Sequence, residues 1–200
     1  MQITLDPLPT IVFAVVILCW MTFAAVFIFR KKPAATAAVE RKRERASILG
    51  IVIQGLSYSL VWGVRRPYFS PIVRMSRPLE IALAVLTITL AVGSVWFVMA
   101  AVRTLGRQWS FAARVVEGHK LVTEGPYRIV RNPIYTGMLG MLIATGLAMS
   151  HWAGLLLGVI VFLAGTLIRV HSEEKLLREE FGQEFEDYSS RVPAIIPGIY

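Results

Sequence analysis

One cysteine, Cys19, is all the thiol this 200-residue chain has, which excludes an intrachain disulfide and a cysteine-based metal site. Acids are also scarce: 13 stand against 21 lysines and arginines, giving a formal net charge of +8. Charged residues of both signs make up only 17%, against 56% hydrophobic. A soluble domain is about one quarter charged, so that class is excluded. The charge is missing in blocks. No Asp, Glu, Lys or Arg occurs in 7–29, 46–64, 81–102 or 133–168.

A helix needs roughly 20 apolar residues to cross a bilayer. The first three blocks therefore read as single spans. The fourth is too long for one and holds Ser150-His151-Trp152 near its middle, so it reads as a helical hairpin, 133–149 and 153–170. The expected fold is all-α, an integral-membrane bundle of about five transmembrane helices, with four as the competing count. No basic leader precedes the first block, and Arg30-Lys31-Lys32 follows it, so a retained anchor is expected and a secretory signal peptide is not. Basic residues collect in 30–45 and 103–131, and the positive-inside bias places both segments, and the C-terminal tail, in the cytoplasm. Segment 65–77, with Arg65, Arg66, Arg74 and Arg77, then falls outside. Attraction to anionic lipid explains the basic loops, and no nucleic-acid motif accompanies them.

Polar chemistry concentrates in the segment before the hairpin. Residues 119–137 place glycine, prolines, tyrosines and basic residues at the start of an apolar helix. Gly125-Pro126-Tyr127 is a turn signal. Asn132-Pro133 is a helix start, with Asn132 as cap and Pro133 in the first turn. Exposed N–H groups there favour a carboxylate, and Tyr127 and Tyr135 offer ring faces to a planar or cationic ligand. A capped helix with interfacial tyrosines is the structural alternative. Segment 33–45 reads as a basic linker or surface helix, and the small, weakly polar residues of the second block, Gln54 among them, read as packing, with substrate lining as the alternative.

A second cluster follows where the last block ends. Arg169 and Glu173 lie four residues apart and share a helix face, and the hairpin returns this end to the membrane face where 133 begins. Seven of the 13 acids lie in 173–187, interleaved with Leu176, Leu177, Phe181 and Phe185 at helical spacing. That pattern predicts an amphipathic C-terminal helix continuing from the last span, weakened at Gly182.

The ordered string His119-x-Leu121-Val122-Thr123-x-Gly125-x-Tyr127, Arg131-x-Pro133-x-Tyr135-x-Gly137, Arg169-x-x-x-Glu173-Glu174, with Phe181-Gly182 and Tyr188 beyond, resembles the isoprenylcysteine carboxyl methyltransferase family. Related phospholipid methyltransferases share the C-terminal pattern. The resemblance covers about 103–200. It implies a single domain over 1–200, with N-terminal spans to 102 and a cofactor-binding catalytic core from 103. It also implies S-adenosyl-L-methionine as cofactor, a cytoplasmic cofactor loop, and a lipophilic or prenylated acceptor reached from the membrane lipids. His119, Lys120, Leu121, Val122 and Tyr127 match the family's cofactor loop; Asn132, Pro133, Ile134 and Tyr135 match its second cofactor segment. Glu173 matches a cofactor-contacting acid with a catalytic role, and Arg169 the catalytic, substrate-contacting arginine. No metal is implied.

One departure constrains the chemistry. Asn132 stands where the prenylcysteine enzymes carry histidine, and an amide exchanges no proton near neutral pH. Ala112 or its neighbours replace a polar cofactor contact. A carboxylate acceptor is already ionised and needs no base, so Arg169 would hold it. An amine acceptor, as in a phospholipid N-methyltransferase, would give its proton to Glu173 or Glu174. A sterol-reductase-like oxidoreductase and a non-catalytic lipid-binding protein are the readings from other classes. Oligomeric state is not legible.

Overall fold

The charge-free runs become helices where expected. The computed structural model describes residues 6–28, 40–43, 46–66, 72, 75–106, 114–116 and 121–198. Five long helices dominate: α1 (Pro7–Ile28), α2 (Ala46–Gly63), α3 (Arg77–Leu105), α4 (Pro133–Met149) and α5 (Trp152–Phe181), followed by the short α6 (Gln183–Ser189). Four of them, α1, α2, α3 and α5, are long and apolar enough to cross a membrane, and α4 is the shorter apolar helix. At 1.5 Å per residue, α4 is about 26 Å long, slightly less than a hydrocarbon core of roughly 30 Å. Its surroundings explain the tolerance. Eleven of its 17 residues are buried, and α1, α2, α3 and α5 all contact it, so neighbouring helices and not lipid cover it.

The outer helices show the opposite pattern. Leu18, Met21, Val52, Leu56, Val85, Trp96, Leu156 and Ile160 are each more than half exposed. Apolar surface on this scale needs lipid against it. The chain is a multi-pass membrane protein.

Inside, two apolar clusters hold the bundle. Val16, Phe23, Val95, Val98 and Met141 join α1, α3 and α4, and Val61, Leu139, Leu142 and Phe162 join α2, α4 and α5. Small residues set the spacing, as they do between helices in lipid. A Cβ on Gly165 of α5 would lie 2.9 Å from the Gly50 carbonyl oxygen and 3.0 Å from the Gln54 nitrogen, both on α2. The α2–α5 contact therefore admits no side chain there, and it brings Gln54 of α2 against α5.

Both ends are tied. At one, Asp6 and Arg77 pair the start of α1 with the start of α3, and the α4–α5 turn holds the end of α2 through His151 N–H to Val64 C=O at 2.8 Å and Ser150 Oγ to the same oxygen at 3.0 Å. At the other, α5 runs unbroken through the amphipathic stretch and stops at Gly182, whose φ of +51° is open chiefly to glycine. The expected weak point is a true break.

One expectation needs correction. Within 33–45, read as a linker or surface helix, Glu40–Arg43 is a strand (β1) paired antiparallel with Arg114–Val116 (β2), with an irregularity between Glu40 and Lys42. Glu-Arg-Lys-Arg has little β-propensity of its own; the pairing depends on the Val-Val of its distant partner, and hence on tertiary proximity.

Candidate active site

The site forms where α2 starts, α3 ends, α4 starts and α5 approaches its C-terminal third. Arg169 lies one turn before Glu173 on α5, and both face α4 and α2. The Arg169 guanidinium is buried, with Nη2 donating to Glu173 Oε1 at 3.3 Å and Nη1 donating to Gln54 Oε1 at 3.3 Å. Gln54 is fixed in turn, its Nε2 donating to Thr166 Oγ1 of α5 at 2.8 Å. Below the guanidinium lies the Tyr135 ring, 4.9 Å from the Arg169 Cζ to the ring centroid. The Tyr135 hydroxyl donates to the same Glu173 oxygen that Arg169 holds.

This is a closed relay of four side chains from three helices. Nη1 and Nη2 find an amide oxygen and a carboxylate, and a ring face lies against the cation, which is how a buried guanidinium becomes tolerable. The exposures grade outward: the Arg169 side chain is 9% exposed and the Glu173 side chain 26%. Arg169 lies deeper and Glu173 nearer the surface. Both bonds to the Glu173 carboxylate fall on Oε1.

Sequence reading placed Glu173 and Glu174 together. Successive helix residues point about 100° apart, and the structure separates them. Glu174 turns to the other face, accepting from Arg131 Nε at 2.9 Å and pairing with Arg178 at 3.5 Å. Arg131 is a brace: its Nη1 also donates to the carbonyls of Ser189 and Val192. The tail then runs back beside the start of α4. Arg131 N–H donates to Pro193 C=O at 2.8 Å, Asn132 N–H to Ala194 C=O at 3.0 Å, and Thr136 Oγ1 to Ile195 C=O. Ile195 packs on Tyr135 and Val170. The C-terminal strap thus backs the wall of the site.

The other expected residues fall as follows. Asn132 occupies the cap position, but its amide caps nothing; it donates to Ala194 C=O at 3.1 Å. The bond to the strap carbonyl holds the amide away from the helix start. Pro133 is fully buried. The Ile134 side chain packs toward the α1–α3–α4 cluster, so its backbone N–H, which has no acceptor within the helix, is what it can offer a ligand. Leu121 and Val122 are half-buried in the approach to the single 3-10 turn Gly125–Arg128. Gly125, at φ +57°, sits where a Cβ would approach Thr104 Oγ1 at 3.0 Å. Tyr127 is buried, and its carbonyl accepts from Tyr188 Oη at 2.7 Å. Burial pushes the Tyr188 phenol up to about 12, which keeps it a neutral donor. His119 and Lys120 lie outside the described residues. Gln54 and the 189–195 strap were not anticipated as parts of the site.

Comparison with known proteins finds methyltransferases and metal-resistance proteins. An isoprenylcysteine O-methyltransferase (form B) of Arabidopsis thaliana is 32% identical over 99 residues, covering 48% of this chain and 50% of that protein. Methanethiol S-methyltransferase 2 of Bradyrhizobium diazoefficiens is 34% identical over 91 residues, covering 46% of this chain and 34% of that protein. The nickel-cobalt-cadmium resistance protein NccN of Alcaligenes xylosoxydans xylosoxydans is 37% identical over 114 residues, covering 54% of this chain and 49% of that protein. The chain thus spans about half or less of the length of these curated relatives. The sequence model of the phospholipid methyltransferase family matches residues 82–184. That stretch is more than half of the chain and contains Tyr135, Arg169 and Glu173, and by that match the chain belongs to the phospholipid methyltransferase family.

Proposed function

We propose that the protein is a membrane methyltransferase that takes S-adenosyl-L-methionine from the cytoplasm and methylates a lipophilic acceptor, with the carboxylate of an isoprenylcysteine-like molecule as the leading candidate. The observation that carries this reading is the Arg169–Glu173–Tyr135–Gln54 relay, buried at one membrane face. The residues fit such a donor, which bears an ammonium, a carboxylate and a positively charged sulfur: Glu173 is a part-exposed carboxylate suited to a cation, and the Ile134 N–H at the helix start suits an anion. When bound, S-adenosyl-L-methionine supplies a methyl group already activated by its sulfonium.

The protein's part is orientation and exclusion of water. Tyr135 and Arg169 fix the rotamer of Glu173, so its carboxylate meets a cationic ligand at little entropic cost. Gln54 holds Arg169 flat against Tyr135 with its charge facing the bilayer side of the site. A lipid-borne carboxylate arriving between helices meets that guanidinium and forms charge-assisted hydrogen bonds. His119, Lys120, Leu121, Val122, Tyr127, Asn132 and Pro133 belong to the donor side in this reading.

A phospholipid amine is the second acceptor reading, favoured by the family match over 82–184. An amine must lose a proton, and Glu174 is committed to Arg131 and Arg178, so Glu173 is the remaining base. Incubating the purified protein with methyl-labelled S-adenosylmethionine and, separately, a farnesylcysteine analogue or phosphatidylethanolamine distinguishes the two. Label in the farnesylcysteine ester supports the leading reading, label only in the phospholipid amine selects the second, and label in neither while nicotinamide cofactors bind would reject both. The cytoplasmic orientation predicts that cysteines placed at 128 or 184, in a Cys19→Ser background, resist an impermeant thiol reagent in intact cells. Labelling from outside at either position would reverse the topology.

A further inference from the structure

The end of the bundle remote from this site carries a second arginine that the proposed chemistry leaves unused. Arg66 follows α2, and its backbone N–H is held by the Met149 carbonyl at 3.1 Å, while Nη2 donates to the Leu147 carbonyl at 3.0 Å. Its Nε and Nη1 are buried and have no hydrogen-bond acceptor. Burial draws the guanidinium down to about 10, so it stays charged at neutral pH. No carboxylate pairs with it among the described residues. The acids at this end are engaged elsewhere: Asp6 and Glu80 both pair with Arg77, at 2.5 and 3.1 Å. A cation removed from water needs an anion, and the protein has directed its own local anions to another arginine.

The surroundings indicate what kind of anion is missing. Arg66 lines a cleft between the starts of α1 and α3 and the end of α4, with Leu8, Val12, Leu83, Ala84 and Leu147 along it, together with Glu80, whose carboxylate Arg77 holds. Its walls are chiefly apolar. It lies at the end of the bundle where α1 and α3 start and α4 ends. A small soluble anion would satisfy the charge and leave the apolar wall uncovered. A phosphate joined to an acyl chain would satisfy both.

We propose that this cleft binds the anionic phosphate headgroup of a membrane phospholipid, with Arg66 as its counter-ion and the start of an acyl chain along Leu8, Val12 and Leu83. The site lies at the membrane face opposite the Arg169 cluster and does not depend on the methyl-transfer reading. Occupancy there ties α1, α3 and α4 together where the protein's own contacts leave a charge uncompensated.

The test is native mass spectrometry and thermal unfolding of the detergent-purified protein, titrated with dioleoylphosphatidylglycerol, dioleoylglycerol or inorganic phosphate. Phosphatidylglycerol should be retained and should raise the midpoint, whereas dioleoylglycerol, which lacks the phosphate, should do neither. Arg66→Gln should weaken phosphatidylglycerol retention roughly tenfold, the loss of one charge-assisted contact. Arg66→Lys should retain more binding than Arg66→Gln. Leu83→Trp, which narrows the cleft and keeps the charge, should also lose lipid, so the conclusion survives if Arg66→Gln proves unstable. Equal retention by Arg66→Gln and the parent would overturn the proposal, as would stabilisation by inorganic phosphate equal to that by the lipid.

Discussion

The two ends of the bundle each draw an arginine out of water, Arg169 fully and Arg66 in part, and they handle the charge differently. At the candidate active site Arg169 is enclosed by partners drawn from three helices: Glu173 from its own, Gln54 from α2 and the Tyr135 ring from α4. At the opposite end Arg66 donates to two backbone carbonyls on the α4 side and meets no carboxylate among the described residues. The first arrangement is preorganised: Gln54, Glu173 and Tyr135 are bonded within the relay before a ligand arrives. The second leaves the charge to backbone dipoles, and the proposed lipid phosphate would supply its anion. Burial alone therefore does not identify a catalytic arginine. What distinguishes the site is that the partners of Arg169 are themselves fixed, Gln54 by Thr166 and Glu173 by Tyr135.

A third arginine gives the largest way to probe that contrast. Arg131 is almost wholly engaged, with Glu174 and two strap carbonyls as acceptors. Its work is structural, so Arg131→Ala should lower stability by about 3–5 kcal/mol, the cost of breaking a buried pair. Thermal or denaturant unfolding in detergent reads this, and a loss under about 1 kcal/mol would mean the strap is held by other contacts. Arg169→Ala comes next. It should leave cofactor affinity within a few-fold while methyl transfer falls tenfold or more, as expected for a charge-assisted contact of about 1.5–3 kcal/mol. Loss of cofactor binding in a folded Arg169→Ala protein would move Arg169 to the donor side. The smallest effect belongs to Gln54→Leu, which removes the brace and keeps the guanidinium. Transfer should fall roughly tenfold, corresponding to the low end of a hydrogen bond from a charged group, about 1.5 kcal/mol, with the change in the acceptor's apparent affinity and little in the donor's. An unaltered acceptor response would reduce Gln54 to a packing residue.

That last variant also shows where sequence reading reached its limit. The spans were legible because charge is costly in lipid, and the hairpin because a Ser-His-Trp turn interrupts a run too long for one helix. Arg169, Glu173 and Tyr135 were legible through their spacing and family pattern, and the structure brings them together, although their roles stand on the proposed chemistry. Gln54 was read as packing. Its small neighbours do pack, but which helix they meet depends on the α2–α5 approach at Gly50 and Gly165, and a single helix's sequence does not name its partner. The strap escaped for a related reason: residues 190–195 carry no periodicity, and their backbone bonds go to 131–136, some 60 residues away in sequence. The β1–β2 pairing escaped in the same way. Contacts made between distant backbones leave no pattern in either segment alone.

The central claim is that the relay around Glu173 is a donor site and not only a structural knot. Calorimetric titration of the detergent-purified protein with S-adenosylmethionine, for the parent, Tyr135→Phe and Glu173→Gln, tests it most directly. The account predicts saturable binding by the parent, with affinity weakened about tenfold or more in Glu173→Gln and less in Tyr135→Phe, since the first removes a charge-assisted contact and the second a single hydroxyl. Parent-like binding by Glu173→Gln, in a protein that unfolds at the parent's temperature, would contradict it.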